Sequence, residues 1–123
     1  MVTALQSIIT RNKRPVDAAV ISITQFHAGE TSNVIPDTAM LGGTVRTFTL
    51  EVLDLIEQRM HEIANQVASA FDCKANLTFK RNYPPTINSA PEAEFARRVM
   101  TDLVGLEHVL PQEPTMGAED FSF

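Results

Sequence analysis

The stretch LEVLDLIEQRMHEIANQVASAFDCKANLTFKRNY, residues 50–83, decides the fold of this chain. Its first part predicts a helix over Leu50–Phe71, because apolar side chains recur every three or four residues: Leu53, Ile56, Met60, Ile63, Val67 and Phe71. Asp72 is predicted to end this helix. From Lys74 to Tyr83 the apolar period shortens to two, which predicts a strand with one half-buried and one solvent-facing side. The inward side chains would be Ala75, Leu77 and Phe79.

Three further elements precede this stretch. Val2–Lys13 carries apolar side chains at helical spacing and predicts a helix that ends before Pro15. Asp17–Phe26 and Thr38–Phe48 predict two strands, joined by a polar loop. The order helix, strand, strand, helix, strand is that of a split βαβ (ferredoxin-like) sandwich that lacks its first strand. The predicted fold class is therefore α+β, and the uncapped first helix suggests that the chain begins inside an element.

The pattern of residues along the chain changes after Tyr83. Three prolines in the eight residues 84–91 predict an extended linker. A further helix is predicted over Glu92–Val104, where Phe95, Val99 and Leu103 are spaced by four, and an acidic turn follows near the end of the chain. We therefore predict two parts: residues 1–83 form one small domain, and residues 84–123 begin a second domain that is cut short.

The composition argues against several classes of protein. Of the 123 residues 44% are hydrophobic, and the formal net charge of −5 argues against binding to a nucleic-acid backbone. No apolar stretch approaches the roughly 20 residues that cross a bilayer, and no signal-peptide pattern is present, so a cytoplasmic protein without membrane contacts is expected. Cys73 is the only cysteine, which excludes an internal disulfide and a Cys-pair zinc site. We expect its thiol to be buried at the start of a strand.

Three polar residues stand out as a candidate site. His27 is expected at the end of the first strand, Asn33 in the following loop, and Arg46 further along a solvent-facing side of the second strand. A histidine donor, an amide and a guanidinium fork suit the recognition of a carboxylate and a developing oxyanion. The alternative is that they are surface polar residues around an ordinary loop. His61 is interpreted as a surface residue, because the helix lacks a second histidine at position 65. His108 stands alone near a short apolar run and is interpreted as a structural or solvated residue.

Five ordered segments resemble the zinc-dependent amidohydrolase family that includes hippurate hydrolase, the aminoacylase and carboxypeptidase-type metallopeptidases. The first three surround the candidate residues, and the last two follow the linker: residues 22–29, 33–37, 43–48, 83–86 and 116–121. In the last segment, Met116-Gly117-Ala118-Glu119-Asp120-Phe121, Ala118 stands where the family more often has a second glycine. The resemblance covers essentially the whole chain.

This resemblance implies a fragment of a two-domain metalloenzyme. Residues 1–83 would be most of a satellite domain that provides the homodimer contact, and residues 84–123 the return of the chain into the catalytic domain. The family's two divalent metals, zinc or manganese, would be held by residues outside this chain, so the fragment itself is expected to hold no metal and to be inactive. His27 would reach across the dimer to polarise the scissile carbonyl. Asn33 and Arg46 would bind the substrate, and Glu119 would lie beside the metal cleft.

Two functions are compatible with these residues and with the resemblance. The first is part of an amidohydrolase that cleaves N-acyl amino acids of the hippurate type. The second is a stand-alone α+β dimerisation or ligand-binding module without catalysis. Residues 84–123 favour the first function, because a free-standing module would have no use for a catalytic-domain segment.

Overall fold

The long helix α2 spans Leu50–Ser69 and organises the first of two units, Met1–Arg81, in this computed structural model, which describes residues 1–123. The other elements of this unit are helix α1 (Val2–Ser7), a π-helical turn at Ile8–Asn12, and strands β1 (Ala19–Ala28) and β2 (Ala39–Thr47). The predicted α+β class is confirmed. The predicted strand bounds were each wrong by one or two residues, and the predicted first helix ends in the π-helical turn rather than as regular α-helix.

Both ends of α2 are fixed by local hydrogen bonds. At its start, the side chain of Thr49 accepts a hydrogen bond of 3.3 Å from the backbone N–H of Val52. At its end, Asp72 adopts a left-handed backbone with φ of 55°, and the N–H of Cys73 donates to the carbonyl of Ala68 at 2.9 Å. This is the Schellman arrangement, which satisfies carbonyl groups at a helix end. The regular helix ends at Ser69, two residues before the predicted Phe71, and Asp72 closes the turn that follows it.

The core lies where α2 packs against α1, the π-helical turn and one side of the hairpin formed by β1 and β2. Ile8 and Ile56 are its two fully buried large side chains. The core cluster is Leu5, Ile8, Ile21, Val52, Ile56, Met60 and Ile63. Phe71, predicted as the last member of the apolar stripe of this helix, is 76% exposed, because the regular helix stops at Ser69 and Phe71 falls in the closing turn.

The segment predicted as a strand over Lys74–Tyr83 is not a strand in the structure. The sheet contains only β1 and β2, and a strand requires a hydrogen-bonded neighbour. The predicted alternation of burial is nevertheless present, with Ala75, Leu77 and Phe79 half-buried between exposed residues. Cys73, expected to be buried at the start of this strand, is exposed, because it belongs to the turn that ends α2.

An ion-pair cluster holds the end of this extended segment on α2. Arg81 donates to Glu57 through Nε at 2.8 Å and lies 2.7 Å from Asp54 through Nη1. The hydrogen bond to Glu57, and after it the one to Asp54, raises the pKa of the Arg81 guanidinium. These contacts fix where the first unit ends.

The second unit, Asn82–Phe123, contains helix α3 over Ala90–Val104 and two short 3₁₀ turns, Leu106–His108 and Asp120–Ser122. Helix α3 begins two residues before the predicted Glu92, because Pro91 fits the first turn of a helix. Gly105, with φ of 90°, follows its last residue in a conformation that favours glycine. Within this unit the rings of Tyr83 and Phe123 pack with their centroids 5.7 Å apart. No helix in either unit has the length and apolar character to cross a membrane.

Replacing Ile56 by alanine should strongly destabilise the first unit. The side chain is fully buried at the centre of the core cluster, and such truncations cost about 2–5 kcal/mol. Leu50→Ala is the matched control on the same helix, because Leu50 is 52% exposed and its truncation should cost well under about 1 kcal/mol. Urea unfolding followed by circular dichroism measures both changes. Equal midpoints for the two variants would contradict this description of the core.

Candidate functional site

The candidate site is built on the β1–β2 hairpin. The two strands are antiparallel, with Ala19 opposite Thr47 at one end and Ala28 opposite Ala39 at the other. A loop over residues 29–38 joins them. Gly29 begins this loop with φ of 70°, and a Cβ added there would lie 3.6 Å from the Pro36 ring. The two ends of the loop therefore pack closely, and glycine is the residue that tolerates this backbone.

One side of the hairpin faces away from the core, and we call it the outer face. Directly opposite residues in a ladder point to the same side, and residues two apart along β2 share that side. Arg46 and Met40 lie on this side, whereas Val45 packs towards the core. The pairs on the outer face are Val20–Arg46, Ser22–Thr44, Gln25–Gly42 and His27–Met40.

His27 lies at the loop end of the outer face, opposite Met40, and is exposed. It lines a shallow depression of about 370 Å³ with residues 28–30 and 38–40. Asn33 lies in the exposed loop close by in sequence. An adjoining depression of about 460 Å³ is lined by other loop residues: Gly29, Glu30, Thr31, Val34, Pro36 and Thr38. The structure thus places His27 and the Asn33 loop at the same end of the hairpin.

Arg46 shares the outer face but lies at its opposite end. It is exposed, stands opposite Val20, and is six residues along β2 from Met40. At about 3.4 Å per residue this separates the backbones at His27 and Arg46 by roughly 20 Å. His27 and Arg46 therefore lie at opposite ends of the outer face rather than side by side.

Glu119 lies in the second unit and has a local structural contact. Its carboxylate accepts a hydrogen bond of 3.3 Å from the backbone N–H of Phe121, which caps the 3₁₀ turn at Asp120–Ser122. The residue is exposed. Its carboxylate keeps further acceptor positions open, so capping does not exclude contact with a ligand.

The side chains of this chain do not fit a metal ion by themselves. No group of three or more histidine, cysteine, aspartate or glutamate residues lies close enough together to hold one. A catalytic zinc site requires about three protein ligands in fixed geometry.

The hairpin has one feature that the sequence patterns did not predict. The register slips between Ile23 and Gln25, so that β1 carries one extra residue, Thr24, relative to β2. This is a β-bulge, and the two consecutive glycines Gly42 and Gly43 of β2 lie opposite it. Glycine within a strand often marks a bulge, so the Gly42-Gly43 pair was the available sequence signal.

Comparison with known proteins gives a consistent result. Residues 3–123 match Peptidase family M20/M25/M40. The chain is 33% identical over 127 residues to "IAA-amino acid hydrolase ILR1-like 4" from Arabidopsis thaliana, covering 100% of this chain and 29% of that protein. It is 37% identical over 123 residues to "N-acetyldiaminopimelate deacetylase" from Streptococcus pneumoniae, covering 99% of this chain and 32% of the relative.

A solved structure is similar over nearly the same extent. A protein from methicillin-resistant Staphylococcus aureus that is described as an aminohydrolase superimposes with a TM-score of 0.81 at 25% identity. The match covers 98% of this chain and 31% of that one. The chain thus spans about a third of the length of the proteins that it matches.

Proposed function

The chain belongs to peptidase family M20/M25/M40, and from this membership we propose that it is part of a metal-dependent amidohydrolase that cleaves N-acyl amino acids. The names of the relatives support this substrate class, since one is a hydrolase of an amino-acid conjugate and another a deacetylase of an N-acetylated amino acid. Residues 1–83 would serve as a satellite domain and residues 84–123 as a segment of the catalytic domain. A hippurate-like substrate and a cytoplasmic location belong to the same proposal.

The observation that carries the proposal is the shared outer face of His27 and Arg46. Both side chains are exposed there, one at each end of the same face. A guanidinium forms paired hydrogen bonds with a carboxylate, and an imidazole donor can stabilise an oxyanion. An N-acyl amino acid offers both groups: a carboxylate, and an amide carbonyl on which charge develops during hydrolysis.

The distance between these residues argues for a site shared by two protomers. In an N-acyl amino acid the carboxylate carbon lies about 4 Å from the amide carbonyl carbon, about the spacing of consecutive Cα atoms. With a hydrogen bond of about 3 Å at each end, the two protein groups must approach within roughly 10 Å. The backbones at His27 and Arg46 of one chain are roughly 20 Å apart, about twice this distance. In a two-fold dimer, His27 of one protomer can approach Arg46 of the other.

Exposed apolar side chains near His27 support the dimer part of the proposal. Phe26, Val34, Ile35 and Met40 are between 54% and 93% exposed at the loop end of the hairpin. Apolar groups clustered on a surface are typical of protein contacts. In the proposed homodimer the partner covers apolar side chains at this end of the hairpin, where His27 also lies.

Each residue has a distinct role in this proposal. Arg46 binds the substrate carboxylate, Asn33 hydrogen-bonds the carbonyl, and His27 from the partner donates to the oxygen that becomes negative. Glu119 would lie beside the metal cleft. Members of this family are generally metal-dependent, and the zinc or manganese would be held by residues outside this chain, where it supplies Lewis-acid activation of water and carbonyl.

The test is hydrolysis of a matched set of amides by the full-length protein. We expect turnover of N-acyl amino acids, including N-benzoylglycine, and much slower turnover of the same compounds with the carboxylate converted to a carboxamide. Chelation should abolish activity, and zinc or manganese should restore it. Residues 1–123 alone should be inactive. Ligand binding by the full-length protein without any hydrolysis would instead support a stand-alone binding module.

A further inference from the structure

The β-bulge at Thr24 decides which face of the hairpin carries His27. Before the bulge, Ile21 is buried in the core and Val20 lies on the outer face. Strict alternation from Ile21 would put His27, six residues further on, on the core side. The extra residue reverses this phase, so that His27 pairs with Met40 on the outer face.

The geometry around Gly42 and Gly43 shows what the bulge requires. A Cβ added at Gly43 would lie 2.1 Å from the carbonyl oxygen of Ser22, which is backbone and cannot move aside. A Cβ added at Gly42 would meet the Oε1 of Gln25 at 2.7 Å, and that flexible side chain can rotate away. Only Gly43 is therefore strictly required by the bulged register.

We propose that the bulge at Thr24, permitted by Gly43, is a positioning device that turns His27 onto the face where Arg46 lies. The inference rests on the proposed function of His27. Val20 and Arg46 pair on the other side of the bulge, so the position of Arg46 does not depend on it. Thr24 and Gly43 are positioning residues: they act through His27 and touch no substrate.

Cysteine trapping in the full-length protein tests the register directly, in a Cys73→Ser background. His27→Cys with Met40→Cys should form a disulfide, because directly opposite residues lie within the range that a disulfide spans. His27→Cys with Ala39→Cys should not, since these residues point to opposite faces. Peptide mapping after oxidation identifies the pairs. A preference for Ala39→Cys would overturn the inference.

Substitutions at Gly43 and Gly42 test whether the bulged register depends on a glycine at position 43. Gly43→Ala should reduce the His27→Cys–Met40→Cys cross-link at least about tenfold, whereas Gly42→Ala, the matched control, should leave it nearly unchanged. Deleting Thr24 from the Gly43→Ala variant should restore the cross-link, because a regular ladder accepts alanine and keeps His27 opposite Met40. If Gly43→Ala behaved like Gly42→Ala, or if the deletion gave no rescue, the inference would be wrong.

Kinetics then separate this inference from the proposed function. With His27 and Met40 unmodified, Gly43→Ala should lower kcat about 100-fold, as misplacing a catalytic group does, and leave KM within about threefold because Arg46 stays in place. The Thr24 deletion should restore kcat. Cross-links that change as predicted without any change in kcat would overturn the proposed role of His27. Unchanged cross-links would overturn the positioning role of the bulge.

Discussion

In the full-length protein, with the proposed amidohydrolase activity, Arg46→Ala should lower kcat/KM for an N-acyl amino acid about 10- to 100-fold. Arg46 is exposed on the outer face of the hairpin, opposite Val20. If its guanidinium forms paired hydrogen bonds with the substrate carboxylate, the substitution removes a charge-assisted interaction worth roughly 1.5–3 kcal/mol. A loss of about 1.4 kcal/mol corresponds to a tenfold decrease in kcat/KM. Because the side chain is exposed, Arg46→Ala should change the free energy of unfolding by less than about 1 kcal/mol. Arg46→Lys should recover only part of the loss, because an ammonium group cannot form the paired contact.

The decisive measurement compares an acyl amino acid with its carboxamide analogue. The wild type should discriminate strongly between them and Arg46→Ala weakly. Arg59→Ala is the matched control, because Arg59 is an arginine of the same unit that lies on α2 and contacts Glu62 and Asn12 rather than a strand of the hairpin. It should leave the discrimination intact. If the wild type and Arg46→Ala discriminated equally between the two compounds, Arg46 would not bind the substrate carboxylate.

The helix and hairpin could be predicted because their signals are local. The apolar stripe of α2 repeats over five turns, and Asp72 suits the left-handed residue that closes it. The segment after it could not be classified correctly from its own residues. Its side chains alternate as in a strand, but a strand depends on a partner elsewhere, and β1 and β2 pair only with each other.

The residues of the candidate site could be predicted from the sequence, but their arrangement in space could not. Polarity and position along the strands are enough to select His27, Asn33 and Arg46. Their faces depend on register, and one extra residue at Thr24 reverses the side to which His27 points. The glycine pair opposite it was visible in the sequence, although its meaning required the position of the Ser22 carbonyl. Register depends on how two strands pair, so it cannot be predicted from the residues of one strand alone.

Mixing two impaired variants should raise activity above that of either variant if the site is shared between protomers. His27→Ala should lower kcat about 100- to 1000-fold, the effect of removing one oxyanion donor, and Arg46→Ala should reduce kcat/KM as described above. In a dimer with one copy of each variant, one site combines both defects. The other combines the intact His27 of one protomer with the intact Arg46 of its partner.

Random exchange of subunits makes half of all dimers mixed, and each mixed dimer has one intact site out of two. Activity should therefore rise to about a quarter of the wild-type value. Mixing His27→Ala with the double variant His27→Ala/Arg46→Ala is the control and should restore nothing, because no intact His27 is available. Exchange is confirmed by native mass spectrometry of differently tagged copies. Exchange without any gain in activity would show that His27 of one protomer and Arg46 of its partner do not form one site, and would overturn the shared-site proposal.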